Sequence, residues 1–123
     1  MANIKTALTS RLASAGDGDE TITVGFMPKY VDFYAVDDLD PTRFSRGTAS
    51  MEDIIYCVCI RDDGTPGPSM DLINSIHIET YNPSGPGDGW TAIISGVDST
   101  GFTISWTKLN AGKDVTVHMT AMG

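Results

Sequence analysis

The sequence predicts an all-β chain, an antiparallel β-sandwich or jelly roll of about seven strands with a short N-terminal helix or arm. Three observations carry that prediction. Apolar and polar residues alternate with a period of two in segment after segment, and Gly- and Pro-rich stretches separate those segments. No stretch of helical length lies between them, so parallel crossovers have nothing to run through.

The first residues differ in kind. Ile4, Leu8 and Leu12 recur every fourth residue, which places them on one face of a short helix capped by Asn3 and ended by Gly16-Asp17-Gly18. So short a helix must pack on something. It either covers an open end of the sandwich or, as an arm, docks on a neighbouring subunit. Residues 1–19 are therefore set apart as helix or arm, and 20–123 as the sandwich domain.

The alternation then begins. In 21–26, Ile22, Val24 and Phe26 share one face, and in 29–35 Val31, Phe33 and Ala35 turn inward while Asp32 turns outward. Pro28 separates the two strands, because it fixes φ and cannot donate to a ladder. Residues 51–61 are apolar on both faces, the pattern of a central strand covered on both sides. Further strands follow at 75–79, with Ile76 and Ile78 inward, and at 90–95, with Trp90, Ala92 and Ile94 inward. The cleanest case sets Phe102, Ile104 and Trp106 against Thr103, Ser105 and Thr107, and the last alternates Val115, Val117, Met119 and Ala121 with Thr116, His118 and Thr120. Residues 95–101 read as a hairpin loop in which Gly96 and Gly101 take positive φ, and 109–114 read the same way. Residues 37–50, 62–71 and 82–89 read as long connections, where contacts with partners gather.

Charge narrows the classes of partner. Sixteen acids, thirteen of them Asp, stand against eight Lys and Arg, for a formal charge of −8. Asp prefers turns to strand interiors, so the acidity belongs on loops and rims. Such a surface repels phosphate backbones and disfavours nucleic acid. There is no run long enough to span a membrane as a helix, and the N-terminus lacks the apolar region of a secretory signal. Cys57 and Cys59 sit two apart in a strand, about 7 Å from each other and too far for a disulfide. They read as buried apolar groups, and free thiols fit synthesis in a reducing cytosol.

Reactive chemistry is not nominated. The sequence carries no nucleophile elbow, zinc-protease helix, phosphate loop or Cys-x-x-Cys pair, so a non-enzymatic role without cofactor is expected. His77 and His118 fall on outward faces, and a shared metal would need adjacent strands and a third ligand such as Glu79. Calcium has the better claim, from Asp37, Asp38 and Asp40 or from Asp62-Asp63-Gly64, but either cluster needs more oxygens than it holds. A solvated acidic turn is the plainer account. Arg43-Phe44-Ser45-Arg46 is the one basic-aromatic cluster on an acidic chain. It reads either as a partner contact or, slightly preferred, as arginines paired with nearby Asp while Phe44 pins the loop to the core. Tyr30 and Tyr34 share the outward side of the second strand, as a sugar-stacking platform, a patch covered by another subunit or rings under a loop.

Two stretches carry a resemblance. Residues 21–34, with Gly25-Phe26-Met27-Pro28-Lys29-Tyr30-Val31 at their centre, resemble the "GF-x-P-x-Y-V" strand pair of small β-sandwich proteins from tailed-phage virions. Residues 101–104 with 109–115 and the apolar C-terminal strand resemble the closing hairpin of the same domains. The resemblance covers about a third of the chain and implies a virion structural protein. Two roles fit it. One is a capsid decoration or cement protein on the outer shell, bound to the major capsid protein or other virion subunits after synthesis in the host cytoplasm. The other is a receptor- or glycan-binding module of a tail or head fibre. The first is favoured because the chain reads as complete, begins with its own Met and carries a docking arm. A homo-oligomer, a trimer by the same resemblance, is expected, with Ile4, Leu8, Leu12, Tyr30, Tyr34, Arg43, Phe44 and Arg46 as the contact residues.

Overall fold

Two antiparallel sheets face each other across one apolar layer. A computed structural model describes residues 3–39, 44–51, 56–62, 76–79 and 87–123, with backbone pairing alone for 56–62 and 76–79. Nine strands run through these residues: β1 (Ile4–Arg11), β2 (Gly18–Thr23), β3 (Tyr30–Asp37), β4 (Phe44–Ser50), β5 (Tyr56–Asp62), β6 (Ile76–Glu79), β7 (Gly89–Asp98), β8 (Gly101–Leu109) and β9 (Val115–Met122). The first sheet has the order β1-β9-β3-β4-β5 and the second β2-β8-β7-β6. There is no helix among the described residues.

The alternation does what period two requires. Val31, Phe33 and Ala35, then Val115, Val117, Met119 and Ala121, line the inner face of the first sheet. Ile22, Trp90, Ala92, Ile94, Phe102, Ile104 and Trp106 line that of the second, and together they form one buried cluster. Trp90 and Trp106 meet edge to face with centroids 6.0 Å apart, a favourable geometry for two ring quadrupoles. The Trp90 indole N–H donates to the Lys113 carbonyl (2.7 Å), so this buried ring is also hydrogen-bonded.

Several expectations are corrected. Residues 4–11 form a strand, not a helix, and β1 pairs with β9 from Ile4–Met122 to Arg11–Val115. A spacing of four is even, so it fits one face of a strand as well as one face of a helix. The segment 1–19 therefore does not stand apart as an arm: β1 is a member of the first sheet, and position 19 falls inside β2. The connection read at 37–50 contains β4, whose inward positions Ser45, Gly47 and Ala49 are too small to write an apolar alternation. Among the described residues the strand read at 51–61 is β5, which stands last in the order of the first sheet and pairs with β4 alone, so it is not central there.

The glycine expectations change too. Neither Gly96 nor Gly101 has positive φ; among the described residues that conformation belongs to Gly25, Gly112 and Asn110. Gly101 is instead required by close approach, since a Cβ there would overlap the Ile22 carbonyl oxygen on β2. Residues 110–114 are not a hairpin. They carry the chain from the second sheet (β8) to the first (β9), with Asn110 and Gly112 in left-handed turns. The pair resembling "GF-x-P-x-Y-V" divides likewise, β2 into one sheet and β3 into the other.

Candidate functional site

The registers of the first sheet fix which side chains meet on its outer face. Across β1, β9, β3 and β4, Leu8 stands opposite His118, His118 opposite Tyr34, and Tyr34 opposite Arg46. One step along the strands lies the row Thr6, Thr120, Asp32, Thr48, and beyond it Ile4, Met122, Tyr30, Ser50. These residues alternate with the buried ones, so the pleat that fills the core also projects them outward.

The face is unusually apolar and aromatic for an acidic chain. Ile4 is 68% exposed and Leu8 63%, while Tyr30 and Tyr34 are exposed beside them. Tyr34 stacks on Phe44 (centroids 5.9 Å, planes 22° apart) and is tilted against His118 at 6.4 Å. Arg46 is exposed next to these rings and has no ion-pair partner among the described residues. Thr48 donates its hydroxyl to Asp32 (2.7 Å), which fixes the carboxylate at the edge of the group. Leu8, Tyr34, Arg46, His118, Asp32 and Thr120 line a shallow open basin of about 830 Å³. Its walls offer ring faces, one guanidinium, one carboxylate and hydroxyls, a mixture suited to recognition by contact and hydrogen bonding.

Most residues read from the sequence as contacts thus share one surface. Ile4, Leu8, Tyr30, Tyr34, Phe44 and Arg46 are all on it, although they come from three strands. Leu12 follows β1 and is 57% exposed, whereas Arg43 lies outside the described residues. Phe44 does not pin a loop to the core; it opens β4 and covers one side of Tyr34. His118 and Met122 were not read as contacts. Their outward position was legible, but their place beside Tyr34 and Tyr30 depends on β3 pairing with β9, which no local pattern encodes.

The acidic loop is committed internally. Asp37 is buried and accepts from the Leu39 N–H (2.9 Å), and Asp38 accepts from the Thr116 hydroxyl (2.6 Å). Asp40, Asp63 and Gly64 lie outside the described residues, as does the Asp62 side chain. Among the described residues no group of three His, Cys, Asp or Glu is placed to hold a metal. His77 and His118 sit on strands of different sheets, so they do not form the adjacent-strand pair a shared metal would need. No helix among the described residues is long and apolar enough to cross a membrane.

A second cluster, at the β1 end of the sandwich, escaped the sequence. The Arg11 guanidinium lies over Trp90 (5.3 Å) and Trp106 (5.9 Å), and its Nη2 donates to the Gly16 carbonyl. The Thr9 hydroxyl, one turn of the pleat away, donates to the Glu20 carboxylate at 2.7 Å. Both contacts tie β1 to the second sheet.

No protein-family model matches the chain, and no curated protein or solved structure is significantly similar to it.

Proposed function

We propose that the chain is a non-enzymatic virion structural protein of a tailed phage, a decoration or cement protein that binds the outer capsid. The observation that carries this reading is the outer face of the first sheet. It gathers Leu8, Tyr34, His118 and Arg46 into one row on a chain of formal charge −8. Aromatic residues and Arg are the types that anchor interfaces, and a large exposed apolar group rimmed by polar residues marks a contact surface. The partner is the major capsid protein or a neighbouring virion subunit, the chain is a homo-oligomer on the particle surface, and it uses no cofactor.

The resemblance of residues 21–34, 101–104 and 109–115 to phage β-sandwich proteins supplies the setting. The test is attachment. Purified protein should bind capsids that lack it and raise their melting temperature, and R46E should reduce binding by about thirtyfold, the value of one interface anchor. Binding to no shell would refute the proposal.

A specific observation favours the fibre-module alternative as well. Tyr34 with Asp32, Arg46 and threonine hydroxyls around an open basin has the composition of a sugar site. Saturable binding to a host glycan, without affinity for shells, would select that reading.

A further inference from the structure

Among the described residues β1 is an unpaired edge of the first sheet, and its backbone has a definite polarity. The Asn3 N–H donates to the Gly123 carbonyl (2.9 Å) and the Gly123 N–H to the Asn3 carbonyl (3.0 Å), so these two residues are a hydrogen-bonded pair. In an antiparallel ladder such pairs alternate. Lys5, Ala7, Thr9 and Arg11 therefore turn their backbone groups toward β9, whereas Ile4, Thr6, Leu8 and Ser10 turn theirs toward the open edge. The Lys29 N–H donating to the Met122 carbonyl (2.8 Å) agrees, because Met122 must then face β3. No proline or register shift interrupts β1, and its charged residues, Lys5 and Arg11, lie on the inward set and leave the Ile4, Thr6, Leu8, Ser10 row uncharged.

We propose that β1 pairs antiparallel with β1 of a second copy, about a two-fold axis at Leu8, and joins two five-stranded sheets into one. The side chains select that register. Centred on Leu8, it sets Ile4 against Leu12 of the second copy, Thr6 against Ser10, and Leu8 against Leu8. Every apolar residue of the row meets another, and every hydroxyl meets a hydroxyl. Centring on Ala7 would set Leu8 against Thr6 and Ile4 against Ser10; centring on Thr6 would leave Leu12 unmatched. The spacing of Ile4, Leu8 and Leu12, exposed at 68, 63 and 57%, is thus symmetric about its middle member, as a self-pairing strand requires.

Charge points to the same occupant. Two chains of formal charge −8 repel, but residues 3–16 contain no acid and carry Lys5 and Arg11. Copies meeting there approach through a segment that itself carries no acid. The register does set Lys5 across from Arg11 of the second copy. Arg11 is held inward over the two tryptophans, and Lys5 is exposed and free to swing out. Added salt therefore strengthens the association, by screening both this pair and the net charge. The pairing is made by the edge backbone and shares with the outer face only the β1 side chains, so it stands or falls separately from the capsid contact assigned to Tyr34 and Arg46.

The test is sedimentation of the full chain over a concentration series to about 1 mM, where even weak self-association registers, with amide exchange followed in parallel. A monomer–dimer equilibrium is expected, with the Thr6, Leu8 and Ser10 amides becoming more protected as concentration rises. L8K places two like charges on the axis and should weaken the dimer at least about tenfold. S10P removes an N–H that faces the open edge and costs the monomer no ladder bond; it should weaken the dimer by a different route. I93K, on the second sheet, should leave it unchanged. A chain monomeric throughout, a trimer, or a dimer that survives both L8K and S10P would overturn the proposal.

Discussion

The two sheets are alike on the inside and unlike on the outside. Both inner faces contribute alternating apolar residues to one core, Val31, Phe33, Val115, Val117 and Met119 from the first sheet and Ile22, Trp90, Ile94, Phe102, Ile104 and Trp106 from the second. The outer face of the second sheet is a lawn of hydroxyls: Thr21 and Thr23 on β2, Thr103, Ser105 and Thr107 on β8, and Thr91 and Ser95 on β7. Ser105 donates to Asp19 (2.6 Å) and its oxygen lies 2.7 Å from that of Ser95, so these three polar groups partner one another. Ile93 is its one large exposed apolar residue among those described. The outer face of the first sheet carries Ile4, Leu8, Tyr30 and Tyr34 exposed, with His118 and Arg46 between them. Threonine and tyrosine favour strands equally, so the fold does not need this difference. The difference is what the proposed contact rests on: one face is polar, and the other exposes apolar and aromatic groups.

The largest effects should ignore that distinction, because the core is common to both sheets. Trp106→Ala removes a buried ring that packs on Trp90, and should cost about 3–5 kcal/mol by chemical denaturation. Gly101→Ala drives a methyl into the β2 backbone and should cost about 1–3 kcal/mol, again whatever the partner. A change below about 0.5 kcal/mol at either position would show that the inter-sheet packing is misassigned.

Outer-face substitutions separate the two surfaces. Tyr34→Ser should shift stability by no more than about 1 kcal/mol yet lower partner binding by 2 kcal/mol or about thirtyfold. Thr107→Ser on the other sheet should leave both within about 0.5 kcal/mol. Equal loss of binding from the two variants would erase the comparison.

The smallest effect belongs to the β7–β8 turn. The Asp98 carboxylate accepts from the Thr100 N–H (2.8 Å), the Thr100 hydroxyl (2.9 Å) and the Gly101 N–H (3.0 Å), and these bonds, the Thr100 N–H foremost, hold its pKa below the usual 3.8. A group whose pKa is lower in the folded state stabilises the fold above its unfolded pKa, and that contribution fades as pH falls through the folded value. Asp98→Asn should therefore lower the melting temperature slightly near neutrality and leave it unchanged in acid, which flattens the acid limb of the profile. An unaltered acid limb would mean the turn bonds are not made in solution.

The sequence made the inner faces legible because burial writes them in a period of two. Val31, Phe33, Trp90, Phe102, Ile104 and Trp106 all lie inside as their alternation predicts. Two strands were not legible, for different reasons. Ile4, Leu8 and Leu12 satisfy both periodicities, and only the pairing with β9 decides between them. In β4 the inward residues are Ser45, Gly47 and Ala49, whose small side chains leave no hydrophobic signal. The contact residues were legible singly, as exposed aromatics and arginine, but not as a surface. Tyr34, His118 and Leu8 become neighbours only because β9 is threaded between β1 and β3, a long-range choice of topology that alternation does not encode.

Hydroxyl-radical footprinting of the chain, alone and with the capsid proposed as its partner, tests the asymmetry of the two faces most directly. Reactivity at Tyr34 should fall severalfold on binding while that at Ile93 stays unchanged. Protection of Ile93 with Tyr34 left reactive would place the partner on the wrong sheet.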